Sequence, residues 1–149
     1  MRVITILLLL FFSFFHVSVC LAEIISIKVP KANIRSGPGT NYKVNHTVGK
    51  FFPLQILKKK GDWYRVKDFE GDIGWVYRKL TSKTPAVVVK TRKKVRANVR
   101  YGAGKKYKRI FQAARGSAFK LVKKSGNWIK IKHADGDTGW IYKKLLWGL

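Results

Sequence analysis

The chain is written twice. A first stretch runs Asn33-Ile34-Arg35-Ser36-Gly37-Pro38-Gly39, then Gly61-Asp62-Trp63-Tyr64-Arg65-Val66, then Gly71-Asp72-Ile73-Gly74-Trp75-Val76-Tyr77-Arg78-Lys79-Leu80. It returns as Asn98-Val99-Arg100-Tyr101-Gly102-Ala103-Gly104, Gly126-Asn127-Trp128-Ile129-Lys130-Ile131 and Gly136-Asp137-Thr138-Gly139-Trp140-Ile141-Tyr142-Lys143-Lys144-Leu145. Matching residues lie 65 positions apart, and 18 of the 48 positions aligned between 33–80 and 98–145 are identical. The identities fall on Gly, Trp, Tyr, Asn and Arg rather than on a general apolar background. Self-similarity at a fixed offset restricts the fold to two copies of one small unit.

A unit of about 60 residues buries a modest core and has little stability to spare. Small exported domains often compensate with disulfides, but the one cysteine, Cys20, lies in the N-terminal segment. Tight turns and aromatic packing must take that role. The N-terminal segment has the layout of a secretory leader. Arg2 supplies a positive start, 3–19 is mostly Leu, Ile, Val and Phe, and Cys20-Leu21-Ala22 places small residues for a cut after Ala22. An uncleaved membrane anchor fits less well, because Thr5, Ser13, His16 and Ser18 leave the run short and polar for a span of about 20 apolar residues. Val19 stands where a lipoprotein signal wants Gly or Ala. The expected division is a leader over 1–22, a first domain over 23–82 and a second over 83–149.

Strand and turn signals follow the same period. Residues 24–29 are apolar and β-branched and end at Pro30. Gly37-Pro38-Gly39 centres what reads as a long ordered loop over 33–42. Residues 53–59 and 63–68 read as a hairpin about Gly61-Asp62, and 73–76 as a further strand. Tyr77-Arg78-Lys79-Leu80 reads as a tight closing turn. Residues 81–85 form a short polar linker, after which 86–91, 119–124, 128–133 and 138–141 repeat the strands. No segment sustains a 3.6-residue apolar period. Short strands with closely spaced glycine turns indicate an all-β chain of two small barrels or sandwiches.

These blocks resemble the bacterial SH3 domain family, often called SH3b. Its pattern is Asn-Val-Arg-x-Gly-Pro-Gly, then Gly-x-Trp-x-x-Val, then Gly-x-x-Gly-Trp-Val. The first copy carries all three, and the second departs at Ala103, where the family prefers proline. The resemblance implies two tandem SH3-like β-barrels of about five strands each. It also implies envelope or extracellular binding, often to peptidoglycan and often beside a wall hydrolase, although no hydrolase pattern occurs in these 149 residues.

Strand alternation separates the candidate site from the core. In 63–67 one face carries Trp63, Arg65 and Lys67 and the other Tyr64 and Val66. In 128–132 one face carries Trp128, Lys130 and Lys132 and the other Ile129 and Ile131. Lysine rarely buries and branched aliphatics usually do, so the tryptophans share the wet face with cations. Trp75 and Tyr77, and Trp140 and Tyr142, follow by the same reasoning. An aromatic ring among cations on a rigid strand offers flat apolar area and an N–H donor to a sugar or peptide, with Lys and Arg placed for carboxylates. The candidate ligand-binding residues are Tyr42, Trp63, Arg65, Trp75 and Tyr77 in the first copy. In the second they are Tyr107, Trp128, Lys130, Trp140 and Tyr142. The competing reading has these rings sealing the barrel edge under lysine stems. Asn33, Arg35, Asn98 and Arg100 read more readily as residues that fix the glycine loop.

Catalysis finds little support. Past the leader there are only His46 and His133, at non-equivalent positions, and no thiol. One carboxylate per turn, Asp72 or Asp137, gives no acid–base pair, and no catalytic residue, metal site or cofactor is expected. Net charge is +25. It is unevenly spread: 23–86 holds 13 bases and 5 acids, and 87–149 holds 18 bases and 2 acids. A field of one sign favours anionic polymers. The leading expectation is an exported, non-enzymatic binding protein, periplasmic or associated with the cell envelope, that contacts peptidoglycan or an envelope protein or peptide. The alternatives are charge-driven binding to lipopolysaccharide, anionic lipid or nucleic acid, and scaffolding through the SH3-like groove. The leader argues against nucleic acid as a cytoplasmic partner.

Overall fold

Alternation along each strand sorts the side chains into two cores. The computed structural model describes residues 22–149; the leader expected over 1–22 lies, but for Ala22, outside the described residues. The first sheet is built from β1 (Ile24–Ile27), β2 (Lys31–Arg35), β3 (Val44–Gly49), β4 (Pro53–Lys60), β5 (Trp63–Lys67), β6 (Ile73–Tyr77) and β7 (Thr81–Ser82). The second uses β8 (Ala86–Val89), β9 (Ala97–Arg100), β10 (Arg109–Ala113), β11 (Ala118–Ser125), β12 (Trp128–Lys132), β13 (Thr138–Tyr142) and β14 (Leu146–Trp147). Strand order is β3-β2-β6-β5-β4-β1-β7 in one and β10-β9-β13-β12-β11-β8-β14 in the other, and the pairings are antiparallel. The chain is therefore all-β in two like SH3-type units. A 3-10 turn, Arg78–Leu80 or Lys143–Leu145, leads into the last short strand of each.

The first core gathers Ile25, Ile27, Ala32, Ile34, Val48, Leu54, Val66 and Val76. The second gathers Val87, Val89, Val99, Phe119, Ile129, Ile131, Ile141 and Leu146 with two alanines. Val66, Val76, Ile129, Ile131 and Ile141 point inward, so the wet faces of β5 and β12 carry the tryptophans. Each sheet holds seven strands where about five were expected. Part of the 33–42 stretch, read as loop, is the end of β2, with the turn beginning at Ser36. β3 reads VNHTVG and buries only Val48. It is a polar edge strand with little apolar alternation to announce it.

Gly74 and Gly139 show why Gly-Trp recurs. β2 and β6 touch through one registered pair, Arg35 with Trp75, and β9 and β13 through Arg100 with Trp140. A Cβ on Gly74 would lie 2.4 Å from Ile34 Cγ2 and 3.1 Å from the Arg35 carbonyl oxygen. On Gly139 it would lie 2.4 Å from Val99 Cγ1 and 3.2 Å from the Arg100 oxygen. Only glycine lets the strands cross this closely.

The two units also pack on each other. β8 is buried on both faces: Val87 and Val89 enter the second core, while Ala86 and Val88 face away from it. Ser26, buried on the outer side of β1, donates from Oγ to the Thr84 carbonyl at 2.8 Å and lies 3.2 Å from Ser82 Oγ. Arg115 reaches across from the second unit. Its guanidinium lies 4.9 Å from the Phe69 ring centroid, its Nε donates to Glu70 Oε1 at 2.9 Å, and its Nη1 donates to the Thr91 carbonyl.

Candidate functional site

Three strands and one turn assemble the groove on the first unit. Lys31, Asn33 and Arg35 alternate outward on β2, while Ala32 and Ile34 bury. Trp63 opens β5 and registers against Tyr77 on β6; their ring centroids are 5.5 Å apart and tilted by 49°. Gly39, Thr40 and Asn41 supply one wall, and Leu80 completes the lining, of a groove enclosing about 540 Å³. Trp63 is half-buried, with one side against Tyr77 and the other toward the groove.

The loop wall is held by Arg35. Its Nη1 donates to the carbonyls of Thr40 at 3.0 Å and Tyr42 at 2.9 Å. A guanidinium has five donors in a fixed fork, so this brace leaves a second edge for a ligand carboxylate. In the second unit Arg100 Nη1 braces the Tyr107 carbonyl at 2.9 Å. Tyr42 and Tyr107 serve the same loops from the other side. A Cβ on Gly37 would fall 2.3 Å from the Tyr42 ring, and one on Gly102 would fall 2.6 Å from Tyr107. Each tyrosine lies flat on its glycine and shapes the wall.

A second row runs across the sheet beside the groove. Arg35, Trp75, Arg65 and Lys58 register on consecutive strands, and Arg100, Trp140, Lys130 and Lys123 do so in the second unit. Trp75 and Trp140 are half-buried, flanked on both sides by cations. Trp128 pairs with Tyr142, with centroids 5.6 Å apart and tilted by 56°.

The expected residues thus divide. Trp63 and Tyr77 line the groove; Trp75 and Arg65 form the adjoining row; Tyr42 stands behind the loop. Trp128, Tyr142, Trp140, Lys130 and Tyr107 occupy the matching places in the second unit. Asn33 and Arg35, read as loop-fixing residues, face the groove as well, and Arg35 both fixes the loop and lines the site. The signal was available: Asn33 and Arg35 are two residues apart, repeat at 98 and 100, and lie on a strand, where i and i+2 share a face.

A few titratable groups away from the groove have local partners. Lys59 Nζ meets Glu23 Oε2 at 2.8 Å, and this bond holds the Glu23 carboxyl below its usual range and raises Lys59. Asp135 is lowered first by the Asp137 N–H and then by His133, whose Nδ1 is 2.7 Å away. His46 Nε2 lies 3.9 Å from Asp68, which accepts the N–H groups of Glu70 and Asp72. Among the described residues no three His, Cys, Asp or Glu side chains converge as a metal site.

The profile of the bacterial SH3 domain matches residues 28–83 and again 93–148. The Bacillus subtilis (strain 168) protein named "Putative N-acetylmuramoyl-L-alanine amidase YrvJ" is 32% identical over 125 residues. That match covers 77% of this chain and 24% of the relative, so the chain spans about a quarter of its length. Among solved structures the chain is similar to an NlpC/P60 family protein from Bacillus cereus ATCC 10987, at 15% identity and a TM-score of 0.40, over 83% of this chain and 55% of that one. It is also similar to NlpC2 from Trichomonas vaginalis, at 13% identity and a TM-score of 0.37, over 85% and 48%.

Proposed function

Because this chain belongs to the bacterial SH3 domain family and carries the domain twice, we propose that it is an exported, non-catalytic binding protein of the bacterial cell envelope. Its ligand is peptidoglycan or an envelope peptide, seated in the Trp63 groove. The observation that carries this reading is the Trp63–Tyr77 ring pair opening onto Asn33 and the braced Arg35. The indole supplies flat apolar area for a sugar face or an alkyl stem, Asn33 offers an amide donor and acceptor, and Arg35 presents a fork to a carboxylate. These are the groups a glycan bearing short acidic peptides displays. The amidase named among its relatives supports a wall ligand, and the leader pattern over 1–22 supports export. Among the described residues the groove is lined by amide, guanidinium, ammonium, hydroxyl and aromatic groups, the kinds that hold a ligand by contact and hydrogen bonding.

Retention on purified sacculi at rising salt tests this reading. Specific binding persists near 1 M salt, where the screening length has dropped to about 3 Å. Trp63→Ala weakens it roughly tenfold, about 1.4 kcal/mol. Retention that vanishes at moderate salt, or is indifferent to Trp63→Ala combined with Trp128→Ala, refutes the groove as the site.

A further inference from the structure

The two outer faces have the same shape but different charge surroundings. In the first unit cations beside the face have acids: Asp62 Oδ1 accepts from Arg78 Nη2 at 2.8 Å, and Glu23 accepts from Lys59. The positions aligned with Asp62 and Arg78 are Asn127 and Lys143, so the acid is gone and the cation stays. Lys59 aligns with Lys124, while Glu23, one residue before β1, has its counterpart in Pro85, one before β8. Gln55 becomes Lys120, and the groove wall Thr40-Asn41 becomes Lys105-Lys106. The two acids of 87–149, Asp135 and Asp137, both sit in the turn before β13, where Asp135 is engaged by His133.

On this face Arg100, Trp140, Lys130 and Lys123 form one line across four strands. At about 4.8 Å per strand the line is roughly 14 Å long, and Lys132 and Lys120 continue it as a parallel pair. We propose that the outer face of the second unit is a track for a linear phosphodiester polymer, separate from the Trp63 groove. A narrow stripe of cations, two residues wide, matches a linear chain of charges rather than the plane of a bilayer. The change from Arg65 to Lys130 keeps the charge but gives up the planar fork that would hold one carboxylate or phosphate in a fixed orientation, leaving a point charge that a chain of anions can pass along in any register. Binding to such a track releases counterions and depends steeply on salt, in contrast to the groove.

The probe is a fluorescent abasic oligonucleotide, a sugar-phosphate chain without bases, titrated into the protein without its leader at several salt concentrations. Lys123→Glu with Lys132→Glu weakens binding at least about tenfold and flattens the salt dependence. Lys58→Glu with Lys67→Glu makes the same charge change at the aligned positions of the first unit and weakens binding less than about threefold. The Lys123/Lys132 double variant keeps its muropeptide affinity, so failure of the track and failure of the Trp63 groove register in different assays. Equal losses from the two double variants would reduce the effect to net charge and overturn the track. So would equal affinity for polyglutamate of matched charge, full competition by phosphatidylglycerol vesicles, or much tighter binding when bases are restored.

Discussion

Asn33 faces an open groove across from Thr47, whereas Asn98, its counterpart, is held through Oδ1 by Gln112 Nε2 at 3.1 Å. Thr40 and Asn41 wall the groove of the first unit; the aligned positions in the second are Lys105 and Lys106. Yet Arg35 and Arg100 brace the same loop, Tyr42 and Tyr107 lie on the same glycine, and the Trp–Tyr ring pairs agree to 0.1 Å in centroid distance, 5.5 against 5.6 Å. What the two units share makes the barrel, its braced loop and the aromatic pair beside it. What separates them is the charge around that pair and the freedom of the asparagine next to it.

The largest expected effect tests the shared part. Gly74→Ala and Gly139→Ala each drive a Cβ into a branched side chain and toward a backbone oxygen, and each costs about 2–3 kcal/mol as overpacking. Urea unfolding followed by tryptophan fluorescence reads both. Costs that differ by more than about 1 kcal/mol would mean the two crossings are not mechanically equivalent.

That division also explains how much could be read from residues alone. Gly74, Trp75, Tyr77, Arg35 and their counterparts are identical across the repeat, and the glycine is required where the strands cross, so repeat, fold class and strand facing are all legible. The groove was only half legible. Trp63 and Tyr77 announce themselves as aromatics on a wet face, but Asn33 and Arg35 read as loop because the Gly37-Pro38-Gly39 turn signal begins two residues after β2 and masks the end of that strand. The contact between units was not legible. β1 and β8 align at an offset of 62 rather than 65, since three more residues separate β8 from the Asn98-Val99-Arg100 motif than separate β1 from Asn33-Ile34-Arg35. Nor does local pattern show that Arg115 meets Phe69 and Glu70, which are 46 and 45 residues away.

Arg115 is the next place to break the comparison. Its counterpart Lys50 stays local, with Nζ 5.3 Å from the Phe51 ring, so the clamp between units is made from one side only. Arg115→Ala removes the partly exposed Glu70 pair, the Phe69 stacking and the Thr91 bond, for about 1.5 kcal/mol in sum. The expected readout is separation of one unfolding transition into two, with faster tryptic cleavage after Lys83. A single undivided transition in the variant would show that burial of β8 alone couples the units.

A smaller effect has opposite signs in the two units. Phe51 sits at φ 66°, and its counterpart Gly116 at φ 84°. Both N–H groups donate to the last carbonyl of the first strand of their unit, at 2.7 Å to Ile27 and 2.9 Å to Val89. The left-handed conformation costs a non-glycine residue about 1 kcal/mol. Gly116→Ala therefore destabilises by about that amount, with no clash because the space beside it is open. Phe51→Gly stabilises by somewhat less than about 1 kcal/mol, since the ring's contacts go with it. Thermal midpoints moving in the same direction would show that the ring outweighs the backbone.

The smallest effect lies in acid. Glu23 has its carboxyl lowered from 4.5, chiefly by Lys59, so its contribution to stability is complete above that value and fades as pH falls through the folded value. Asp135 is lowered from 3.8 and follows the same sign in the second unit, but its first cause is the Asp137 N–H rather than a distant cation. The two units therefore lose stability in the same direction on acidification for different reasons, and salt separates them. Screening weakens an exposed pair of charges and leaves a carboxylate–backbone bond within one turn largely intact. Glu23→Gln should flatten the acid limb of stability at low salt and change little at high salt, while Asp135→Asn should flatten it at both. Equal salt sensitivity of the two variants would mean that His133, not the Asp137 N–H, dominates at Asp135, and that the second unit depends on side-chain charge as the first does.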